Sequence, residues 1–150
     1  MNEALEQLST EIGLSNSENE PLRFAFAYAC VSRIRHLLEE PGVVECLDVL
    51  GSYLRGQVDR ADLQYAQAEA ARLANQHRGS QSIDGCGHAA VSATYSVANA
   101  LDGNALQAAS YAAYAAVYAE GGYAAVAERE AFEPEFSWQL EALRDIANQE

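Results

Sequence analysis

Two sets of side chains in this sequence are spaced to share a surface. His88, Ser92, Tyr95 and Asn99, placed at helical intervals, form one polar strip beside an apolar face of Ala90, Thr94, Val97, Ala98 and Leu101. Such a strip can read a ligand or a partner, or it can bond across to a neighbouring helix. Tyr111, Tyr114 and Tyr118 fall within an arc of about 60° together with Gln107 on a helix that is otherwise mostly alanine. Rigid aromatics with polar tips are favoured at recognition surfaces. They also suit the gap beside close-packed alanines, with their hydroxyls in water. Trp138 lies off the Phe136/Leu140/Leu143 stripe, so it packs on a second neighbour or stands out as an anchor.

Other reactive groups are less promising. His77, Cys86 and His88 lie near one another, but Cys-x-His without a second half or a carboxylate at a fixed offset does not make a zinc site, and no metal is expected. His77 closes a helix and reads as a satisfied histidine or as a cation on the helix dipole. Cys30, Cys46 and Cys86 are odd in number and widely spaced, which suits reduced, packed thiols. Phosphate loops, His-Glu-x-x-His, Cys-x-x-Cys and nucleophile elbows are missing from the sequence. The carboxylate pairs Glu39-Glu40 and Glu128/Glu130 flank helix ends and read as solvated charge. The expectation is a protein without enzymatic activity and without a cofactor.

The elements that must position these groups are helices. The chain has 150 residues, 49% of them apolar, with alanine the main contributor, which suits one all-α domain of closely approaching helices. Residues 1–20 form an acidic segment with a short helix carrying Leu5, Leu8 and Ile12 and ending at Gly13. The bundle proper spans residues 21–150. Pro21 opens a helix through Leu22, Phe26, Cys30, Ile34, Leu37 and Leu38 that Pro41-Gly42 stops. Further helices carry Val43 to Leu54, run from about Arg60 to His77, and reach from an Asp84 cap to Leu101. Asp102-Gly103-Asn104 turns the chain into the alanine-rich fifth helix, which Gly121-Gly122 interrupts. A last helix opens at Pro134. The total is six to seven helices. Tyr53-Leu54-Arg55-Gly56 and Ala100-Leu101-Asp102-Gly103 look alike and mark either two helical hairpins of one bundle or a short solenoid; two copies fall short of the three repeats a solenoid needs, which favours the bundle. No segment combines alternation with β-branched enrichment, so no strand is expected.

Charge narrows the partners. Twenty-two acidic residues face nine basic ones, all of them arginine, for a net charge of -13. That balance excludes nucleic-acid binding by phosphate neutralisation. It suits a basic protein partner, although a coat that only keeps an alanine-rich bundle soluble has the same composition. Arg33 falls between Leu22 and Phe26 on its helix wheel, so its guanidinium is expected at or near the core in a structural ion pair. Residues 1–6 lack the basic start and apolar run of a secretory signal, and no stretch approaches the ~20 apolar residues of a membrane span. No membrane partner is expected, and the expected compartment is the cytoplasm.

Ala29-Cys30-x-x-Arg33-Ile34-x-x-Leu37, then Tyr53-Leu54-Arg55-Gly56, the alanine-rich helix from Ala61 to Ala74, Gly87-His88-Ala89-Ala90 and the later Ala-Ala-Ser-Tyr-Ala run follow an order that resembles the Imm5-like immunity proteins of bacterial toxin systems. The resemblance spans residues 22–120. Tyr53 stands where that family tends to have Trp, and Pro41-Gly42-Val43-Val44 replaces an Asp-x-Arg-Pro-type segment. The resemblance implies a non-enzymatic inhibitor of a cognate protein toxin, with His88, Tyr95, Asn99, Tyr111, Tyr114, Tyr118 and Trp138 as candidate contacts. The residues themselves leave two alternatives open. One is a small-ligand binder or enzyme built on His88, Tyr95, Asn99 and His77; the other is a homodimer or scaffold assembled through alanine-rich faces.

Overall fold

The computed structural model describes residues 2–76 and 86–149. Among them are seven α-helices and no strand: α1 (Glu3–Ile12), α2 (Glu20–Arg33), α3 (Pro41–Leu54), α4 (Arg60–Gln76), α5 (Cys86–Leu101), α6 (Ala105–Val126) and α7 (Glu133–Asn148), with short 3-10 turns at Ser17–Asn19, Arg35–Leu37 and Arg129–Phe132. The all-α bundle read from the sequence is the fold. His77 and the Asp84 cap lie outside the described residues. None of the described helices is long and apolar enough to cross a membrane.

α5 and α6 form the most extensive helix pair, and α2, α4 and α7 pack around them. Ala93, Ala100, Ala108, Ala109 and Ala115 are almost completely buried, and side chains this small let two backbones come close. At that range the buried Ser96 hydroxyl on α5 donates to the Ala108 carbonyl of α6 at 2.7 Å. Larger residues, Phe26, Ile34, Leu47, Leu50, Leu63 and Leu143, fill the space where α2, α3, α4 and α7 meet this pair.

The two similar sequence stretches do the same job. Gly56 (φ 73°) and Gly103 (φ 78°) both take the left-handed conformation that glycine adopts without steric cost. In each, an amide one residue later reaches back, Gln57 to Ser52 and Asn104 to Asn99, at 2.9 Å. These are Schellman closures of α3 and α5, and each starts a hairpin.

α2 differs from expectation at its end. It stops at Arg33 instead of continuing to Leu38, because Ile34 leaves helical geometry (φ -114°, ψ 16°) and a 3-10 turn follows. This keeps Ile34 buried. Pro41 is then a first-turn residue of α3, where its missing N–H costs nothing. The acidic segment, described from residue 2, is packed onto the bundle through buried Leu5 and Leu14. Asn19 donates to the Ile12 and Gly13 carbonyls, and Arg23 to those of Leu14 and Asn16.

The two glycines in α6 have separate roles. Gly122 sits at φ 62°, ψ -150°, a region open essentially to glycine alone, and it kinks the helix. At Gly121 a methyl group would overlap the Cβ of Ala125. Gly122→Ala should therefore lower unfolding free energy by about 1–3 kcal/mol, read from urea denaturation; an unchanged midpoint would mean that the kink is not strained.

Candidate functional site

α5 and α6 bring the two spaced sets of polar and aromatic residues together. Tyr95 stacks on Tyr111 at 5.5 Å between ring centroids, and His88 on Tyr118 at 5.2 Å. Tyr118 continues to Tyr114 at 6.4 Å, and Tyr114 meets Phe132 edge-on at 5.1 Å. Phe132 then tilts against Phe136 at 5.4 Å. The strip and the arc are thus opposite sides of one aromatic seam. Along it the apolar face of α5 is buried as the wheel requires.

Members of the strip have different surroundings. Asn99 turns back along its own helix and donates to the Tyr95 carbonyl at 2.8 Å. Ser92 and Tyr95 are half-buried and His88 is exposed. Tyr114 is exposed, while Tyr111 and Tyr118 are half-buried.

Trp138 lies apart from the seam, half-buried, with the Arg33 guanidinium 4.6 Å above its ring. Arg33 holds Glu135 with both branches of its fork, at 2.9 and 3.2 Å, which raises the guanidinium's already high pKa. The ion pair is as the sequence suggests, but its position is not. Arg33 ends α2 with its side chain 38% exposed, at the outer edge of the α2–α7 contact and not in the core. Its long stem allows the charged head to reach water and Glu135 together.

Cys30 and Cys46 are buried free thiols. Burial pushes the Cys30 pKa well up, with the Glu135 carboxylate adding to the effect, and it pushes Cys46 up to about 11. Both stay protonated near neutrality and serve as packing groups. The Cys86 side chain, like His77, lies outside the described residues.

The feature that the sequence did not reveal is a cleft of about 440 Å³ between α1, α6, the Arg129–Phe132 turn and α7. Leu5, Leu106, Val126, Phe132 and Phe136 supply its apolar walls, with Tyr114 at the end of the seam. Asn2 fixes one side by capping α1 through Leu5 N–H and donating to the Phe136 carbonyl. Gln139 is 3% exposed and lines the cleft while its amide nitrogen donates to the Ala109 carbonyl at 2.8 Å. The available signal was a glutamine three residues from Phe136 and four from Leu143, on an otherwise apolar stripe.

Exposed carboxylates are distributed unevenly. On the α2–α4 side, Glu20 pairs with Arg60, Asp48 with Arg35 and Glu69 with Arg72, while Glu18, Glu39, Glu40, Glu45, Asp59 and Asp62 are exposed without such a partner among the described residues. α1 packs against α7, and Glu3, Glu6, Glu11, Glu128, Glu130, Glu133, Glu141 and Asp145 on these elements and the turn before α7 are exposed, without an ion-pair partner among the described residues. Comparison with protein-family models, curated proteins and solved structures gives no match for this chain.

Two measurements check this description. Protonated Cys46 contributes stability that is fully present below its ordinary pKa of 9 and is lost as pH rises from 9 through about 11. The native protein should lose roughly 1–2 kcal/mol across that window beyond what Cys46→Ala loses. A double-mutant cycle of Arg33→Gln and Glu135→Gln should give a coupling of about 0.5–1 kcal/mol. Arg33→Lys should recover only part of it, because lysine lacks the planar fork and stack.

Proposed function

We propose that the protein is an immunity-type binding module that captures a cognate toxin through its α1/α7 face. The observation that carries this reading is the uneven acidity. Among the described residues, three carboxylates on the α2–α4 side are held by arginines, whereas on α1, the 129–132 turn and α7 only Glu135 is, by Arg33, and these elements carry only Arg129 and Arg144 of their own. A concentrated field of one sign accelerates and orients the approach of a basic protein, such as a nuclease domain. Tyr114, exposed at the end of the aromatic seam and beside this face, is the amphipathic residue type that supplies contact energy once the encounter has formed. The order of motifs shared with the Imm5-like immunity proteins supports the same reading from the sequence.

The test is coexpression with the toxin domain encoded beside this gene. The expected result is relief of growth arrest and a stable complex by size exclusion. Replacing Glu3, Glu11, Glu133, Glu141 and Asp145 with their amides should slow association about tenfold at low ionic strength, with the difference shrinking as salt rises. A neighbouring toxin that is neither bound nor neutralised, or an association rate indifferent to these carboxylates, would count against the reading.

A further inference from the structure

We propose that the cleft between α1, α6 and α7 binds a free aromatic amino acid whose ring carries an N–H or O–H donor. Three features of its lining converge on that chemistry. The first is the apolar body: Leu5, Leu106 and Val126 face Phe132 and Phe136, and its volume of about 440 Å³ falls within the range of small-molecule sites. The edge-to-face arrangement of Tyr114 and Phe132 offers a ring the same kind of contact that the cleft's own rings make.

The second feature is a pair of opposite charges left apart. Glu6 and Arg129 both line the cleft, yet they form no ion pair with each other. Arg129 is not matched with any carboxylate among the described residues, unlike Arg33, Arg35, Arg60 and Arg72. An anionic ligand would meet Glu6 and a cationic one would meet Arg129, so the arrangement favours a zwitterion with its ammonium toward Glu6 and its carboxylate toward Arg129.

The third feature is Gln139. It is buried, its nitrogen is bonded to the Ala109 carbonyl, and no donor reaches its side-chain oxygen among the described residues. A buried acceptor without a donor is costly, and an indole N–H or phenol O–H entering the cleft would supply one. Phenylalanine, which fits the walls but carries no ring donor, would leave Gln139 as it is.

L-Tryptophan titrated into the full chain, followed by calorimetry and amide NMR shifts, tests this directly. Binding with a Kd of about 10–300 μM is expected. Tryptamine, indole-3-propionate and phenylalanine should each bind at least about tenfold more weakly, since each lacks one matched group. Arg129→Gln should weaken tryptophan about tenfold and leave tryptamine unchanged, and Glu6→Gln should weaken it similarly while sparing indole-3-propionate. Both residues are exposed, so these variants should keep the wild-type circular dichroism. No shift of cleft amides at about 5 mM tryptophan, or equal losses of all ligands in both variants, would overturn the proposal. It stands or falls independently of toxin binding.

Discussion

Close approach of α5 to α6 is the constraint on which the rest of the structure depends. It requires alanine on both faces, because a larger side chain at Ala93, Ala100, Ala108 or Ala112 would force the backbones apart and remove Ser96 from the Ala108 carbonyl. The Gln139 bond to Ala109 works from the other side of the same helix. Two successive carbonyls of α6 are thus reached by side chains of flanking helices, which fixes both the rotation and the height of α6 in the bundle. Neutral hydrogen bonds of this kind contribute only about 1 kcal/mol each. Their main effect is directional, since slippage of α6 would leave buried polar groups without partners.

Placing alanine inside puts the large rings elsewhere. With the α5–α6 contact occupied by methyl groups, Tyr95, Tyr111, His88 and Tyr118 stack along its open edge. α6 kinks at Gly122 and ends at Val126, and the chain returns through the 129–132 turn, bringing Phe132 against Tyr114. α1, capped by Asn2 and tied to α7, closes the third side. The cleft is the space left where three elements converge on a helix too slender to fill it.

Which parts of this were legible in the sequence follows from the reach of each interaction. Helical periodicity and the turn glycines Gly56 and Gly103 are local, and apart from the end of α2 the helices stand where the spacing puts them; the Gly121-Gly122 interruption is a kink within α6. The α5 strip and the α6 arc were each readable on their own wheels, but their stacking on one another depends on the rotation of two helices. Arg33 shows the limit in another way: its wheel position pointed to the core, while the partner that holds it at the edge is 102 residues away. α2 ending at Arg33 was hidden because Leu37 and Leu38 keep the helical spacing after the backbone has left it. The cleft was least legible, since the residues that line it come from three elements whose relation is set by α6.

Charge follows the same architecture. A bundle in which alanine is the commonest buried residue buries less apolar area per residue, so it gains less from the hydrophobic effect than one built on leucine. Clustering like charges on α1 and α7 costs further stability through repulsion. Arginines could have relieved it, as they do between α2 and α4, between the 35–37 turn and α3, and within α4; here Arg33 takes up Glu135 alone, and the elements themselves supply only Arg129 and Arg144. Solubility alone does not require the excess of carboxylate over arginine to be greater on one side, because an even coat would serve with less repulsion. The uneven field is therefore a directional property of the molecule, and it coincides with the side on which the cleft opens and Tyr114 is exposed.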